Sequence, residues 1–84
     1  MEYPPIEKVA RDLRRLRRQL DELPVGASYV RSMALLRAYD DVLALACEEL
    51  EVSTQIRQLA EGPGRELERL RLEYLLGEAG LRVR

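Results

Sequence analysis

Carboxylates that could act in acid–base or metal chemistry are concentrated in one stretch of the sequence. The stretch contains no base, and its five acidic residues are Asp40, Asp41, Glu48, Glu49 and Glu51. Carboxylate-bridged metal sites in helical bundles usually add histidines at Glu-x-x-His spacing, but the chain contains no histidine. We therefore expect a solvated acidic face opposite an Arg-rich neighbour, and we predict no metal, cofactor or catalytic residue.

Arginine side chains could bind phosphate or carboxylate groups, because the guanidinium fork can donate two parallel hydrogen bonds. Four arginines stand at i, i+3, i+4 and i+7 and share one face of the first predicted helix: Arg11, Arg14, Arg15 and Arg18. The chain has no Gly-rich phosphate loop, and its net charge of −1 argues against a nucleic-acid or membrane-surface partner. We expect this face to be solvated or paired within the chain, with an acidic protein as the alternative partner.

Cys47 and Tyr39 are the other side chains that could act as a nucleophile or an acid. A cysteine nucleophile normally needs a nearby base, usually a histidine, and the chain has none. Both residues fall on the apolar stripe of the middle predicted helix. We therefore expect a buried, inert thiol and a core tyrosine whose hydroxyl reaches the edge of the core. The sequence predicts that the protein is not an enzyme.

The first helix is predicted over 5–23. Its apolar residues follow a heptad spacing, in steps of three and four: Ile6, Val9, Leu13, Leu16, Leu20 and Leu23. Pro5 suits the first turn of a helix, and Pro24 ends the pattern. Three repeats are too few for a coiled coil but suit one leg of an antiparallel helical hairpin.

The middle helix is predicted over 28–61, because Ser28 is a suitable N-cap and neither glycine nor proline follows until Gly62. Its main apolar stripe comprises Leu35, Leu36, Tyr39, Val42, Leu43, Ala46, Cys47 and Leu50. A second stripe on nearly the opposite side comprises Ala34, Ala38 and Leu45. A helix with two apolar faces lies at the centre of a bundle or contacts a second copy. Residues 52–54 have low helix propensity, so we expect a kink or break there, with a continuous helix as the alternative.

The third helix is predicted over 64–79. The Gly-Pro-Gly sequence at 62–64 is the clearest turn in the chain. Gly80 is expected to end the helix, so that Leu81 folds back onto its last turn.

These patterns predict an all-α fold, with one domain over 1–84 and three helices in an antiparallel array around a long middle helix. An unbroken middle helix would leave a groove that a second copy closes into a helical bundle. A break near Ser53 would instead allow a compact four-helix monomer. The chain is short and lacks Phe and Trp, so its core is small and gains from a partner.

We therefore expect a homodimer that functions as a small helical protein–protein interaction module. The apolar residues predicted to make the contact are Leu13, Leu16, Leu20, Leu35, Leu36, Tyr39, Val42, Leu43 and Leu50. A cytoplasmic location is expected, because no basic flank followed by an apolar run marks a signal peptide. The longest uncharged run of the middle segment, Val42–Cys47, is too short to span a membrane.

The alternative function is that of a DNA-binding regulator. The segment 46–57 resembles a helix-turn-helix, since Leu50-Glu51-Val52-Ser53 followed by Thr54 is similar to the turn and recognition-helix start of bacterial repressors. The resemblance implies a recognition helix over 53–60 that enters the major groove. The sequence departs from the pattern in having Glu51 where glycine is usual, and its acidity opposes contact with phosphate.

Overall fold

Three α-helices make up most of the computed structural model, which describes residues 3–84. They are α1 (Ile6–Asp21), α2 (Tyr29–Glu49) and α3 (Pro63–Glu78), and a single 3-10 turn, Ile56–Gln58, lies between α2 and α3. Residues 3–84 contain no β-strand. The predicted all-α class is confirmed, and α1 and α3 differ from their predicted bounds by at most two residues.

The predicted middle helix over 28–61 is too long, because α2 ends at Glu49. Its last turn closes in a Schellman arrangement, in which the Val52 N–H donates to the Cys47 carbonyl at 2.8 Å. Glu51 adopts the left-handed conformation that this ending requires, with φ of 58°. Glycine normally holds that position, so its absence left no sequence signal that places the end of α2 at this residue.

The interruption expected near 52–54 is confirmed, and Thr54 organises the chain beyond it. The Thr54 hydroxyl oxygen accepts the Ile56 N–H at 3.2 Å, while the hydroxyl donates to Glu68 of α3 at 2.6 Å. Ile56 is fully buried. The segment that was predicted to continue the helix therefore contributes Ile56 to the core and binds α3 through the Thr54 side chain. A 3-10 turn takes the place of the fourth helix.

Two predicted helix ends are confirmed by their hydrogen bonds. The Ser28 side chain accepts the Arg31 N–H at 3.1 Å and caps α2. At the other end of the chain, Gly80 has φ of 100°, and the Leu81 N–H donates to the Leu76 carbonyl at 2.8 Å. Leu81 is buried, so the chain folds back over the last turn of α3 as expected.

The core lies where α1, α3 and the 3-10 turn each pack against α2. Its buried apolar residues are Val9, Ala10, Leu13, Leu16, Tyr39, Leu43, Ala44, Ala46, Cys47, Ile56, Leu72, Leu76, Leu81 and Val83. The Cα radius of gyration is 12.6 Å, close to the roughly 12 Å expected for a folded chain of this length. Within residues 3–84, no helix is both long and apolar enough to cross a membrane. The chain closes a core of its own.

Replacing Glu51 with glycine tests the ending of α2. We expect Glu51→Gly to raise the free energy of unfolding by about 0.5–1.5 kcal/mol, because glycine adopts positive φ without the steric cost of a Cβ. Ala34→Gly, at an exposed position inside α2, is the control and should lower it by about 1 kcal/mol. Urea unfolding followed by circular dichroism measures both. A Glu51→Gly variant as destabilised as the control would contradict this ending.

Candidate interaction site

The residues predicted to contact a second copy lie in or beside the chain's own core. Four of them are buried: Leu13, Leu16, Tyr39 and Leu43. Four more are half-buried and pack against that core: Leu20, Leu35, Val42 and Leu50. Leu36 is half-buried and lines a shallow groove between α2 and α3. Contacts within the chain therefore occupy the faces that the sequence assigned to a partner.

Asp40 is buried, which corrects its expected place on a solvated acidic face. It is 1% exposed, and Arg69 donates to its two carboxylate oxygens through Nε and Nη2, each at 2.7 Å. Arg65 adds a third hydrogen bond at 2.9 Å. Asp41 and Glu48 are exposed as expected. Asp40 points away from the apolar stripe of α2, but α3 covers that side and supplies both arginines.

The Asp40 cluster joins α2, the following loop and α3. Arg65 also donates to the Leu59 carbonyl at 2.6 Å, so the loop is held by the same side chain. Hydrogen bonding to Asp40 raises the pKa of Arg69, which keeps this guanidinium charged in its buried position. Breaking a buried ion pair leaves an uncompensated charge, which typically costs about 3–5 kcal/mol. The cluster therefore fixes which face of α3 turns inward.

Tyr39 links all three helices through a second polar cluster. Its hydroxyl donates to Glu73 Oε2, which also accepts from Arg17 at 3.1 Å. The Arg17 guanidinium carbon lies 5.2 Å from the centre of the Tyr39 ring, within cation–π range. Burial, and then the bond to Glu73, raises the pKa of Tyr39. The hydroxyl therefore stays protonated, and the prediction of a core tyrosine is confirmed.

Cys47 is fully buried, as expected. Burial raises the pKa of its thiol to about 11, so the thiolate needed for nucleophilic attack is scarce at neutral pH. Within the described part of the chain, no group of three or more His, Cys, Asp or Glu residues is placed to hold a metal ion.

The helix-turn-helix interpretation required a recognition helix over 53–60, and the structure does not contain one. The 3-10 turn Ile56–Gln58 is the only helical segment in that range. Arg57, the base expected to contact DNA, instead forms an ion pair with Glu48 at the end of α2. A single turn whose arginine is paired within the chain does not present side chains to a major groove.

The predicted arginine face is on the surface of α1. All four side chains, Arg11, Arg14, Arg15 and Arg18, are at least partly open to solvent. Arg14 donates to the Arg82 carbonyl at 2.8 Å, and Arg15 lies 3.9 Å from Asp12. Within residues 3–84, neither Arg11 nor Arg18 forms an ion pair. Half of this face is therefore satisfied within the chain, and half is open to solvent.

The outer face of α3 presents a row of exposed apolar side chains. Leu67, Leu70 and Tyr74 are 71%, 60% and 61% exposed and stand at i, i+3 and i+7. With one residue at each end, they complete a heptad pattern in steps of four, three, four and three. We call this row the α3 seam: Pro63, Leu67, Leu70, Tyr74 and Gly77. It holds three of the seven large apolar side chains that are exposed within residues 3–84.

Sequence reasoning did not identify the α3 seam, because α3 has two apolar faces. Leu72 and Leu76 form the inner one and are fully buried. The spacing of Leu67, Leu70 and Tyr74, in steps of three and four, is visible in the sequence. The inner face, however, also carries the charged Arg69. The residue pattern therefore did not indicate which of the two faces of α3 is buried.

No protein-family model, curated protein or solved structure matches this chain. We therefore infer its function from its own residues and contacts.

Replacing Asp40 tests the buried anchor of α3. We expect Asp40→Asn to lower the free energy of unfolding by about 3–5 kcal/mol, because the buried Arg69 and the half-buried Arg65 lose their counter-charge. Asp41→Asn makes the same chemical change at the exposed neighbour and should stay within about 0.5 kcal/mol of wild type. Urea unfolding at neutral pH measures both. Equal stabilities for the two variants would show that the cluster does not hold α3.

Proposed function

We propose that this chain is a small helical protein–protein interaction module, without catalytic activity, that homo-oligomerises through the α3 seam. The observation that carries the proposal is the exposure of Leu67, Leu70 and Tyr74 at coiled-coil spacing on one helix face. Contiguous apolar side chains on a protein surface typically mark interaction sites, whereas scattered ones need no explanation. Their regular spacing distinguishes them from isolated exposed residues such as Val25.

The α3 seam cannot be buried by rotating α3 within one copy of the chain. Such a rotation would withdraw Arg69 and Arg65 from Asp40, leaving buried charge uncompensated. It would also expose Leu72 and Leu76, which now lie in the core. The apolar side chains of the seam are therefore covered only by another molecule.

The proposed contact lies away from the surfaces predicted from sequence. An interface built from Leu13, Leu16 or Leu43 would require the chain to open its own core, because these residues are buried. The α3 seam is available in the closed chain. The seam also agrees with the reason for predicting a dimer, which is that a short chain with a small aliphatic core gains stability from a partner.

The expected association is weak. Covering a fully exposed Leu or similar side chain contributes about 1.5–3 kcal/mol, and each seam side chain is already partly covered. Losing translational and rotational freedom costs roughly 4–15 kcal/mol. Three side chains from each copy supply a total of about the same size as this cost, so we expect a net free energy of at most a few kcal/mol and a dissociation constant near the millimolar range.

The arginine face of α1 is a second candidate surface, and an acidic protein is the partner that it fits. The favouring observation is that Arg11 and Arg18 are exposed and form no ion pair within residues 3–84.

A cytoplasmic location is part of the proposal, since the one cysteine is a free thiol.

Solution mass tests the proposed contact. Light scattering across a hundredfold range of protein concentration should show wild type passing from monomer to dimer. Leu70→Glu should remain monomeric yet folded, because it places a charge at the centre of the α3 seam on an exposed side chain. Val30→Glu is the matched control, since Val30 is 77% exposed on α2, outside the seam.

The control should behave as wild type. A wild type that stays monomeric at every concentration would contradict homo-oligomerisation, and equal effects of the two variants would contradict the seam as its site.

A further inference from the structure

Opposite charges border the two sides of the α3 seam. In heptad terms Leu67 and Tyr74 occupy a positions and Leu70 a d position. Glu66 then occupies the g position on one side, and Arg71 the e position on the other. These are the positions whose charges set partner and orientation in coiled coils.

Glu66 and Arg71 both retain hydrogen-bonding capacity in the single chain. Within residues 3–84 the Glu66 carboxylate forms no ion pair and accepts no hydrogen bond. Arg71 uses Nε and Nη2 to bind Glu68, at 2.7 Å each, and Nη2 also donates to the Ser53 carbonyl. Its Nη1 donates no hydrogen bond in the described part of the chain. Glu66 and this nitrogen are therefore free to meet groups outside the chain.

We propose, resting on the function proposed above, that the occupant of the α3 seam is a second copy whose α3 runs parallel and in register. Between parallel helices, a g residue faces the e residue five positions later on the other helix. Glu66 of each copy then meets Arg71 of the other, which gives two ion pairs of opposite charge. The seam side chains pack on their counterparts between these pairs.

The next g and e residues do not oppose this pairing. Glu73 and Glu78 occupy them and would be like-charged neighbours across a parallel pair. The Glu73 carboxylate, however, is turned inward and bound by Tyr39 and Arg17. It is therefore held within its own chain and neutralised there.

An antiparallel pair has the opposite electrostatic outcome. In that orientation e residues face e residues, and g residues face g residues. Arg71 lies close to the midpoint of the α3 seam, which runs from Pro63 to Gly77, so it would face Arg71 of the second copy. Like charges placed across an interface suppress that arrangement. The charge pattern therefore favours parallel over antiparallel helices.

Disulfide trapping distinguishes the two orientations. Gly77 and Gly64 both lie on α3 with nothing within 4 Å of where a Cβ would stand, so cysteine fits at either. The d position of Gly77 faces its counterpart in a parallel pair, whereas Gly64, at e, does not. In an antiparallel pair, position 64 of one copy approaches position 77 of the other. Native Cys47 is buried, with a thiol pKa of about 11, and stays unreactive.

In a glutathione redox buffer, Gly77→Cys alone should form a disulfide-linked dimer in at least several-fold higher yield than Gly64→Cys alone. An equimolar mixture of the two variants should give no enrichment of the mixed disulfide. Preferential formation of the mixed disulfide would overturn the parallel pairing. So would the absence of a Gly77→Cys disulfide at concentrations where wild type is dimeric by light scattering.

Charge reversal in the Gly77→Cys background tests the proposed ion pairs. Glu66→Arg should lower the disulfide yield several-fold, because the introduced guanidinium would then face Arg71 of the other copy. Adding Arg71→Glu should restore the yield. Circular dichroism verifies that each variant is folded. An unchanged yield on Glu66→Arg would overturn the charge assignment.

The two proposals fail in different ways. If wild type dimerises and Leu70→Glu abolishes the dimer while the mixed disulfide forms, the interaction function stands and the parallel arrangement is wrong. If wild type remains monomeric, homo-oligomerisation fails and the parallel arrangement fails with it.

Discussion

The orientation of α3 depends on one buried carboxylate. Asp40 of α2 accepts hydrogen bonds from the guanidinium groups of Arg65 and Arg69 on α3, and these bonds occupy both of its carboxylate oxygens. Because turning α3 about its axis would withdraw both arginines and leave the Asp40 charge uncompensated in the interior, the orientation of α3 is fixed. One apolar face, with Leu72 and Leu76, is therefore directed into the core, and the other is left in solvent. The exposed face follows from this polar contact rather than from hydrophobicity alone.

The end of α2 determines how much of the core a single copy can complete. A helix continuing to residue 61 would have carried Ile56 away from α3 and left an open groove for a partner. Instead α2 ends at the positive φ of Glu51, and Ile56 is buried in the core between α2 and α3. The main apolar stripes of α1 and α2 are thereby packed within the chain. The regularly spaced apolar surface that remains unburied is carried by α3, which meets the rest of the chain through one side only.

Local signals in the sequence predicted much of the fold. The Ser28 cap and the Gly80 ending with Leu81 folded over it follow from short-range chemistry, and they are where expected. Glu51 was missed because a helix ending without glycine carries no local mark. Burial of Asp40 was missed because its partners lie 25 and 29 residues away, beyond any periodic pattern. The exposed seam was missed for the same reason, since the Asp40 contact decides which face of α3 is inward.

The most direct test of association through the outer face of α3 is to measure which leucine methyl groups change their chemical shift when the chains associate. Methyl NMR spectra of wild type should be recorded across the concentration range in which its mass changes. We expect the methyl shifts of Leu67 and Leu70 to move with concentration, while those of Leu13 and Leu43 stay constant. Movement of the Leu13 and Leu43 signals, or unchanged Leu67 and Leu70 signals while the mass rises, would contradict the assignment of association to the outer face of α3.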